Sequence, residues 1–429
     1  MKILSITAGA AEMYCGSCLR DNALAAELLG RGHDVTLMPV YTPTLTDESN
    51  VSAGNPVLFG GISVYLEQNV PLFRHTPRLL DRLWDAAPVI RAFAGRSMQV
   101  NPRFLGEMAV SMLKGEHGHQ RKEFEKLIDW LRHEQPPDVV NLPNSLLISM
   151  AGPIRRTLGR PVVVTMQGED LFLDGLPEPF RTTAIDLIRQ QVRDVDLFLS
   201  VSEFYVERMH SLLGIPLDKI AVVPLGINTD GYQGERAGRG STFRLGYFAR
   251  IAPEKGLMEL AETYRVLRQE KGLPASRLEA AGYLGGEHRE YLARVERRLR
   301  DWGLAGEFQY HGAVDREQKI RFLRGLDVLS VPAPYPDPKG TYLLEAMAAG
   351  TPVVQPRSGA FVETIERTGG GLLVEAGTDA LADGILQLWQ QPDAAVALGA
   401  RGAEGVRAHY SVEREADRLL EVFGTVVGR

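Results

Sequence analysis

The chain has 429 residues, more than one ordinary hydrophobic core organises, so two domains are expected. Hydrophobic residues make up 44% and charged residues 24%, and the formal net charge of -6 supplies no positive footprint for nucleic acid. Aromatics at 7% are too sparse for base stacking, and two cysteines make no disulfide framework. No apolar run reaches the roughly 18 residues of a bilayer span, and the amino terminus turns polar too soon for a signal peptide. A cytoplasmic, reduced protein is the expectation, with peripheral contact at the inner face of a membrane left open.

Taken in chain order, Met1–Thr7 is apolar and reads as a strand. A turn-rich stretch covers Ala8–Cys18, Leu19–Leu29 is helical and ends at Gly30 and Gly32, and Val35–Val40 is the next strand. This βαβ opening predicts a parallel sheet in an α/β protein. From Thr42 to about His133 the rhythm breaks, and segments such as 78–84 and Phe124–Leu131 look helical, so this stretch reads as an insertion near the substrate. Its apolar residues Leu79, Leu83, Trp84 and Phe93 fit core packing better than membrane docking. Short buried-strand runs follow at Val139–Leu142, Val162–Met166, Leu197–Val201 and Ile220–Val223.

Glycines 231, 234, 238 and 240 crowd among charged residues and mark a linker. A second alternation then runs through Phe243–Phe248, Leu278–Ala281, Phe308–Tyr310, Val328–Val331 and Pro352–Gln355, with helices between. Two consecutive α/β halves place a ligand at the carboxyl ends of strands, in a cleft between them.

Two stretches carry the chemistry. Gly246-Tyr247-Phe248-Ala249-Arg250 leaves a strand and enters Ile251–Gly256, just ahead of a helix at Leu257–Gln269. Arg250 and Lys255, five residues apart on that loop, have the charge and spacing to reach one diphosphate, and Gly246 and Gly256 permit close backbone approach. The plainer reading is a helix-capping loop with solvated charges. The second stretch, Pro334 to Pro352, is a loop feeding a helix that Gly350 ends and Pro352 stops. The helix start offers unpaired amides at Gly340, Thr341 and Tyr342, an intrinsic anion site. Asp337 precedes that start and Glu345 lies on its early turns, so both carboxylates border a ligand bound there, and a carboxylate facing two hydroxyls reads a ribose well. The plainer reading makes Asp337 a cap and Glu345 surface charge.

Together these stretches resemble the retaining glycosyltransferases of family 4, which have the GT-B fold of two Rossmann-like domains facing each other across a cleft. The family's Gly-Arg…Lys-Gly element corresponds to Gly246, Arg250, Lys255 and Gly256, and its two acidic residues separated by seven correspond to Asp337 and Glu345. Glu345-Ala346-Met347-Ala348 with Gly350–Val354 is the strongest match. Gly359–Glu363 and Gly371–Val374 resemble later segments, while Gly16-Ser17, Leu28–Val35, Asp196–Ser202 and Val223–Ile227 resemble parts of the amino half. The resemblance implies an amino-terminal acceptor-side domain over 1–228, a linker over 229–241, a nucleotide-sugar-binding domain over 242–405, and a carboxyl-terminal helix in 406–429 packing back on the first domain.

The resemblance also implies a hexosyltransferase that retains anomeric configuration, uses no metal and no cofactor, and takes a nucleotide-diphosphate sugar as substrate. Arg250 and Lys255 would hold the diphosphate and Glu345 the ribose. Amides from Gly340 to Tyr342 would face sugar and phosphate, and Gly16 with Ser17 would approach from the amino domain. The acceptor, whether glycan, lipid or small molecule, has no motif of its own. Three positions depart from the family pattern: Asp337 stands for the usual Glu, Lys339 for an aromatic, and Gln167 for the histidine of a Thr-x-His-Gly segment. Glutamine donates a hydrogen bond to a sugar but does not become cationic near neutral pH.

Other signals carry less. Cys15-Gly16-Ser17-Cys18 reads either as a redox pair at a helix start or as two small side chains beside a glycine loop. His117 and His119 decorate a loop, and Ala8-Gly9-Ala10-Ala11 lacks the spacing of a dinucleotide fingerprint. An epimerase or phosphorylase on the same fold, and a non-catalytic sugar-nucleotide-binding protein, are the competing readings.

Overall fold

The computed structural model describes residues 1–9, 16–42, 46–52, 64, 67–68, 102–234, 240 and 242–428. Cys15, most of the expected insertion with Leu79, Leu83, Trp84 and Phe93, and much of the glycine-rich linker lie outside the described residues. The chain divides into two compact units, Met1–Pro224 with Glu415–Arg429, and Leu225–Arg414.

The first unit is built on a six-stranded parallel sheet of β1 (Lys2–Thr7), β2 (Asp34–Pro39), β3 (Val139–Leu142), β4 (Val162–Met166), β5 (Leu197–Ser200) and β6 (Ile220–Val222). Their order across the sheet is β2-β1-β3-β4-β5-β6. The runs Val139-Val140 and Val162-Val163-Val164 are wholly buried, as β-branched residues covered on both faces of a parallel sheet should be. The described part of the expected insertion forms helices Pro102–Leu113 and Arg121–His133, the latter burying Phe124, Leu127 and Leu131. Ser149 Oγ donates to Met112 O at 2.8 Å and Gln191 Nε2 to Leu113 O at 3.0 Å, so the first of these helices is fastened to the unit's core.

The carboxyl-terminal helix Val412–Val427 buries Ala416, Leu419, Val422, Phe423 and Val426, an apolar stripe at helical spacing. It is bound to the helix Gly16–Gly30 through Glu415 and Asp417, which pair with Arg20 and Arg31.

The second unit carries its own six-stranded parallel sheet: β7 (Phe243–Phe248), β8 (Ser276–Ala281), β9 (Phe308–Tyr310), β10 (Val328–Leu329), β11 (Val353–Pro356) and β12 (Gly371–Val374). The order is β12-β11-β10-β7-β8-β9. β10 stops at Leu329, sooner than its apolar run suggests, ahead of Pro332, which has no amide hydrogen to continue a ladder. β12 has no counterpart among the strands expected from periodicity, because all four of its residues are only half buried and the sheet ends there. Residues 227–233 are pinned to this unit: Ile227 exchanges hydrogen bonds with Tyr410 and Val412, and Arg316 donates to the carbonyls of Asn228 and Asp230 at 3.1 and 2.8 Å.

Candidate active site

In the second sheet the strand order reverses between β7 and β10, which pair directly through Leu245↔Val328 and Gly246↔Leu329. Connections leave a reversal point in opposite directions, so a crevice opens at the carboxyl ends of those two strands. The loops that leave them are residues 249–256 and 330–340, the two stretches that the sequence marks for chemistry.

Both loops owe their course to glycine. Gly256 sits at φ +79° after the turn Pro253–Lys255, and a Cβ there would lie 2.1 Å from Pro332 O, so it lets the first loop rest on the second. Gly359, at φ +53°, does the same behind the second loop: a Cβ would lie 2.5 Å from Asp337 O, and the neighbouring Ala360 amide donates to that carbonyl at 2.9 Å. Gly246 has another explanation than ligand approach, since the space its side chain would occupy is filled by Leu326, 2.0 Å from the Cβ position.

The contact of the loops brings Lys255, Asp337, Gly340 and Tyr342 together. Lys255 Nζ pairs with Asp337 Oδ2, which also accepts from Tyr342 OH at 3.1 Å, and the ammonium lies 5.5 Å from the centre of the Tyr342 ring. Asp337 Oδ1 accepts from the amides of Lys339 and Gly340 at 2.9 and 3.3 Å. Burial pushes the Asp337 carboxyl up, but the Lys255 charge and these hydrogen bonds outweigh it and bring it down to about 2. Burial, with the Asp337 charge beside it, raises the Tyr342 phenol well above its ordinary value. Asp337 thus lies beneath Lys255 with both oxygens engaged, and the cation is the more exposed partner of the two. The amides of Thr341 and Tyr342 lead the helix Thr341–Ala348, where no intrahelical carbonyl reaches them.

Glu345, one turn further on, pairs with Lys319 at 2.7 Å. Arg250 is 45% exposed and pairs with Glu254, one residue before Lys255, rather than with the Lys255–Asp337 cluster. In the first unit, Gly16 is exposed at the start of its helix, and a Cβ there would meet no described atom within 4 Å, so packing against the described residues does not require the glycine; Ser17 beside it is half buried. Gln167 is buried after β4, donating through Nε2 to Pro143 O at 2.9 Å, while its Oε1 has no partner among the described residues.

Two residues were not picked out by sequence reasoning. Glu169, whose carboxyl burial pushes up, accepts from the Ser145 amide and hydroxyl at 2.9 Å and from the Gln167 amide at 2.8 Å, tying the loops after β3 and β4 together. Lys319 is the other, and its signal was a lysine on the buried side of a helix, beside Ile320 and Leu323. Among the described residues no group of three or more His, Cys, Asp or Glu side chains is gathered to hold a metal ion, and no helix is long and apolar enough to cross a membrane.

Comparison with known proteins matches residues 108–230 to the model "Glycosyltransferase Family 4" and residues 236–405 to "Glycosyl transferases group 1". A GDP-mannose-dependent alpha-(1-6)-phosphatidylinositol monomannoside mannosyltransferase of Mycobacterium tuberculosis is 26% identical over 291 residues, 64% of this chain and 72% of the relative. Among solved structures, sucrose-phosphate synthase from Thermosynechococcus elongatus superposes with a TM-score of 0.72 at 16% identity, over 100% of this chain and 99% of that one. Anabaena HepE in complex with UDP and glucose gives 0.69 at 15% identity, over 99% and 100%. The structural likeness supports the fold, the two models account for consecutive stretches of the sequence, and the chain belongs to the family 4 glycosyltransferases of GT-B fold.

Proposed function

We propose that this glycosyltransferase moves a hexose from a nucleoside-diphosphate sugar to a hydroxyl of a glycan, lipid or small-molecule acceptor, with anomeric configuration retained and no metal ion required. The observation that carries this reading is the Lys255–Asp337 pair at the head of the helix Thr341–Ala348, beside the point where the strand order reverses. There a fixed cation and the leading amides of a helix form an anion site suited to a diphosphate.

In this reading Lys255 and the amides of Thr341 and Tyr342 bind the diphosphate and Arg250 closes on it from the exposed side. Asp337 serves by holding Lys255, and Glu345 takes the ribose. Gly16 serves the phosphate, and Ser17 and Gln167 serve the donor. When the bond from the anomeric carbon to the phosphate oxygen breaks, negative charge grows on that oxygen as the sugar becomes oxocarbenium-like. Preorganised positive groups stabilise that charge more in the transition state than in the ground state. The acceptor oxygen then bonds to the same face of the anomeric carbon, and its proton passes to the departing phosphate. A relative that uses GDP-mannose and a structural neighbour determined with UDP and glucose support a hexose donor, and the relative's phosphatidylinositol mannoside acceptor supports peripheral work at a membrane surface.

The test is a panel of GDP- and UDP-hexoses, each with and without glycan, lipid and polyol acceptors, in the presence of EDTA. Nucleoside diphosphate released only with an acceptor, and a product whose anomeric coupling matches the donor's, is the expected result. Release without acceptor, an inverted product, or abolition by EDTA would overturn the corresponding part. Binding without turnover on every acceptor would favour a sugar-nucleotide-binding protein.

A further inference from the structure

We propose that Lys319 is a positioning residue that fixes the Glu345 carboxylate as a reader of the donor's ribose hydroxyls, so that the Lys319–Glu345 pair sets selection of ribonucleotide over deoxyribonucleotide donors. This rests on the assignment of Glu345 to the ribose.

The helix Arg316–Arg324 buries Lys319, Ile320 and Leu323 against the unit, and the Lys319 side chain is only 6% exposed. An aliphatic residue would fill that space without the cost of desolvating an ammonium, so the charge needs a reason. Its Nζ donates to Glu345 Oε1 at 2.7 Å, across 26 residues of sequence. Joining two helices is a poor reason, because Thr351 Oγ1, just past the end of Thr341–Ala348, already donates to Leu323 O at 2.6 Å and holds that segment to the helix Arg316–Arg324.

The effect on Glu345 is more specific. With Oε1 held by Lys319, the carboxylate plane is set, and Oε2 accepts no hydrogen bond among the described residues while the side chain keeps 14% of its surface exposed. A carboxylate oxygen offers two lone pairs, which matches the two adjacent hydroxyl donors of a ribose. Held by one oxygen, the carboxylate presents the other without spending binding energy on orientation. Without Lys319 it would rotate, and a half-buried negative charge would lack its partner.

The test is calorimetric binding of GDP and UDP, and of the 2′-deoxy and 3′-deoxy forms of whichever binds more tightly, to the full chain. The unaltered protein is expected to prefer the ribonucleotide by about 10-fold or more, the scale of a hydrogen bond to a charged group. Lys319→Met is expected to bring that preference within about 3-fold through lost ribonucleotide affinity, leaving affinity for the deoxy forms unchanged. Lys319→Gln, which keeps a donor and the side-chain length without the charge, is expected to fall between and serves if the Met variant does not fold. A protein that binds ribo and deoxy forms alike would overturn the ribose assignment and this proposal with it. A ribose preference that survives undiminished in both variants would overturn the role of Lys319 and leave Glu345 as the reader.

Discussion

Lys255 rests its ammonium on the buried carboxylate of Asp337, 82 residues further along the chain, and so joins the two loops that leave β7 and β10. The pairing is asymmetric, with the lysine side chain 18% exposed and the aspartate 2%. A charge supported from beneath in this way faces outward in a fixed position, which is what stabilising a leaving diphosphate requires.

Removing Lys255 should therefore have two separable consequences. Lys255→Ala is expected to lower turnover by about 10²–10³, the usual effect of losing one electrostatic stabiliser. It should also destabilise the second unit by about 3–5 kcal/mol, because Asp337 is left charged and buried without its partner. Adding Asp337→Asn to that variant should recover most of the stability and none of the turnover. Urea denaturation and steady-state rates on the four combinations measure both. Recovery of turnover in the double variant would show that the lysine acts only through folding.

The same pair makes a prediction about acid. The Asp337 carboxyl lies at about 2 in the folded protein against an ordinary 3.8, so the folded state binds its proton less readily than the unfolded chain. Its stabilising contribution, about 2 kcal/mol for a shift of that size, is complete above the ordinary value and is lost as pH falls from about 4 toward about 2. Asp337→Asn should be less stable than the natural protein at pH 6, with the difference shrinking over that window in denaturation series. A difference that stays constant down to pH 2 would contradict the ionised pair.

How much of this site the sequence discloses depends on where each partner lies. Lys255 and Asp337 are legible because they stand on loops bounded by Gly256, Pro336, Pro338 and Gly340, residues whose backbone restrictions mark a departure from regular structure. Most strands are legible too, since Val139–Leu142 and Val162–Met166 are short apolar runs of β-branched residues. The reversal of strand order between β7 and β10 is not, because periodicity identifies a strand and not its neighbour. Lys319 stays hidden for a related reason: within Arg316–Arg324 it is one of several cations, and only packing separates the buried one from Arg321, 68% exposed. Asp337 illustrates the converse. Its position was readable, but its orientation beneath Lys255, and not toward the open side, follows from the close approach of the loops at Gly256 and Gly359.

Arg250 should behave unlike Lys255. Its described partner is Glu254, in an exposed pair four residues apart, and such pairs contribute little to folding. Arg250→Ala is expected to change stability by no more than about 0.5 kcal/mol. Loss of a charged hydrogen bond to the diphosphate, worth about 1.5–3 kcal/mol, should nevertheless lower kcat/KM for the donor by about 10–100-fold. Donor saturation curves beside thermal unfolding decide it, and an unchanged kcat/KM would remove Arg250 from the site.

The last prediction concerns the carboxyl-terminal helix of the first unit. Arg20 Nε donates to Glu415 Oε1 at 2.6 Å and Arg20 Nη1 to Asp21 Oδ1 at 3.2 Å, with the side chains of Arg20 and Glu415 2% and 0% exposed. Burial opposes the arginine charge, but the two carboxylates outweigh it and hold the guanidinium above its ordinary value. A pair so placed contributes little net stability compared with apolar residues of the same shape, yet breaking it from one side is costly. Glu415→Ala should therefore destabilise the first unit by about 3–5 kcal/mol, seen as lost hydrogen-exchange protection along Gly16–Gly30. Replacing Arg20 and Glu415 together by methionine, with Asp21→Asn to neutralise the second carboxylate that Arg20 holds, should restore most of that protection. Asp417→Ala provides the contrast, for its pairing with Arg31 leaves the aspartate 53% exposed, and its loss should change stability by less than about 1 kcal/mol. Equal effects of the Glu415 and Asp417 substitutions would mean that the helix is held by its apolar stripe, with the buried ions as bystanders.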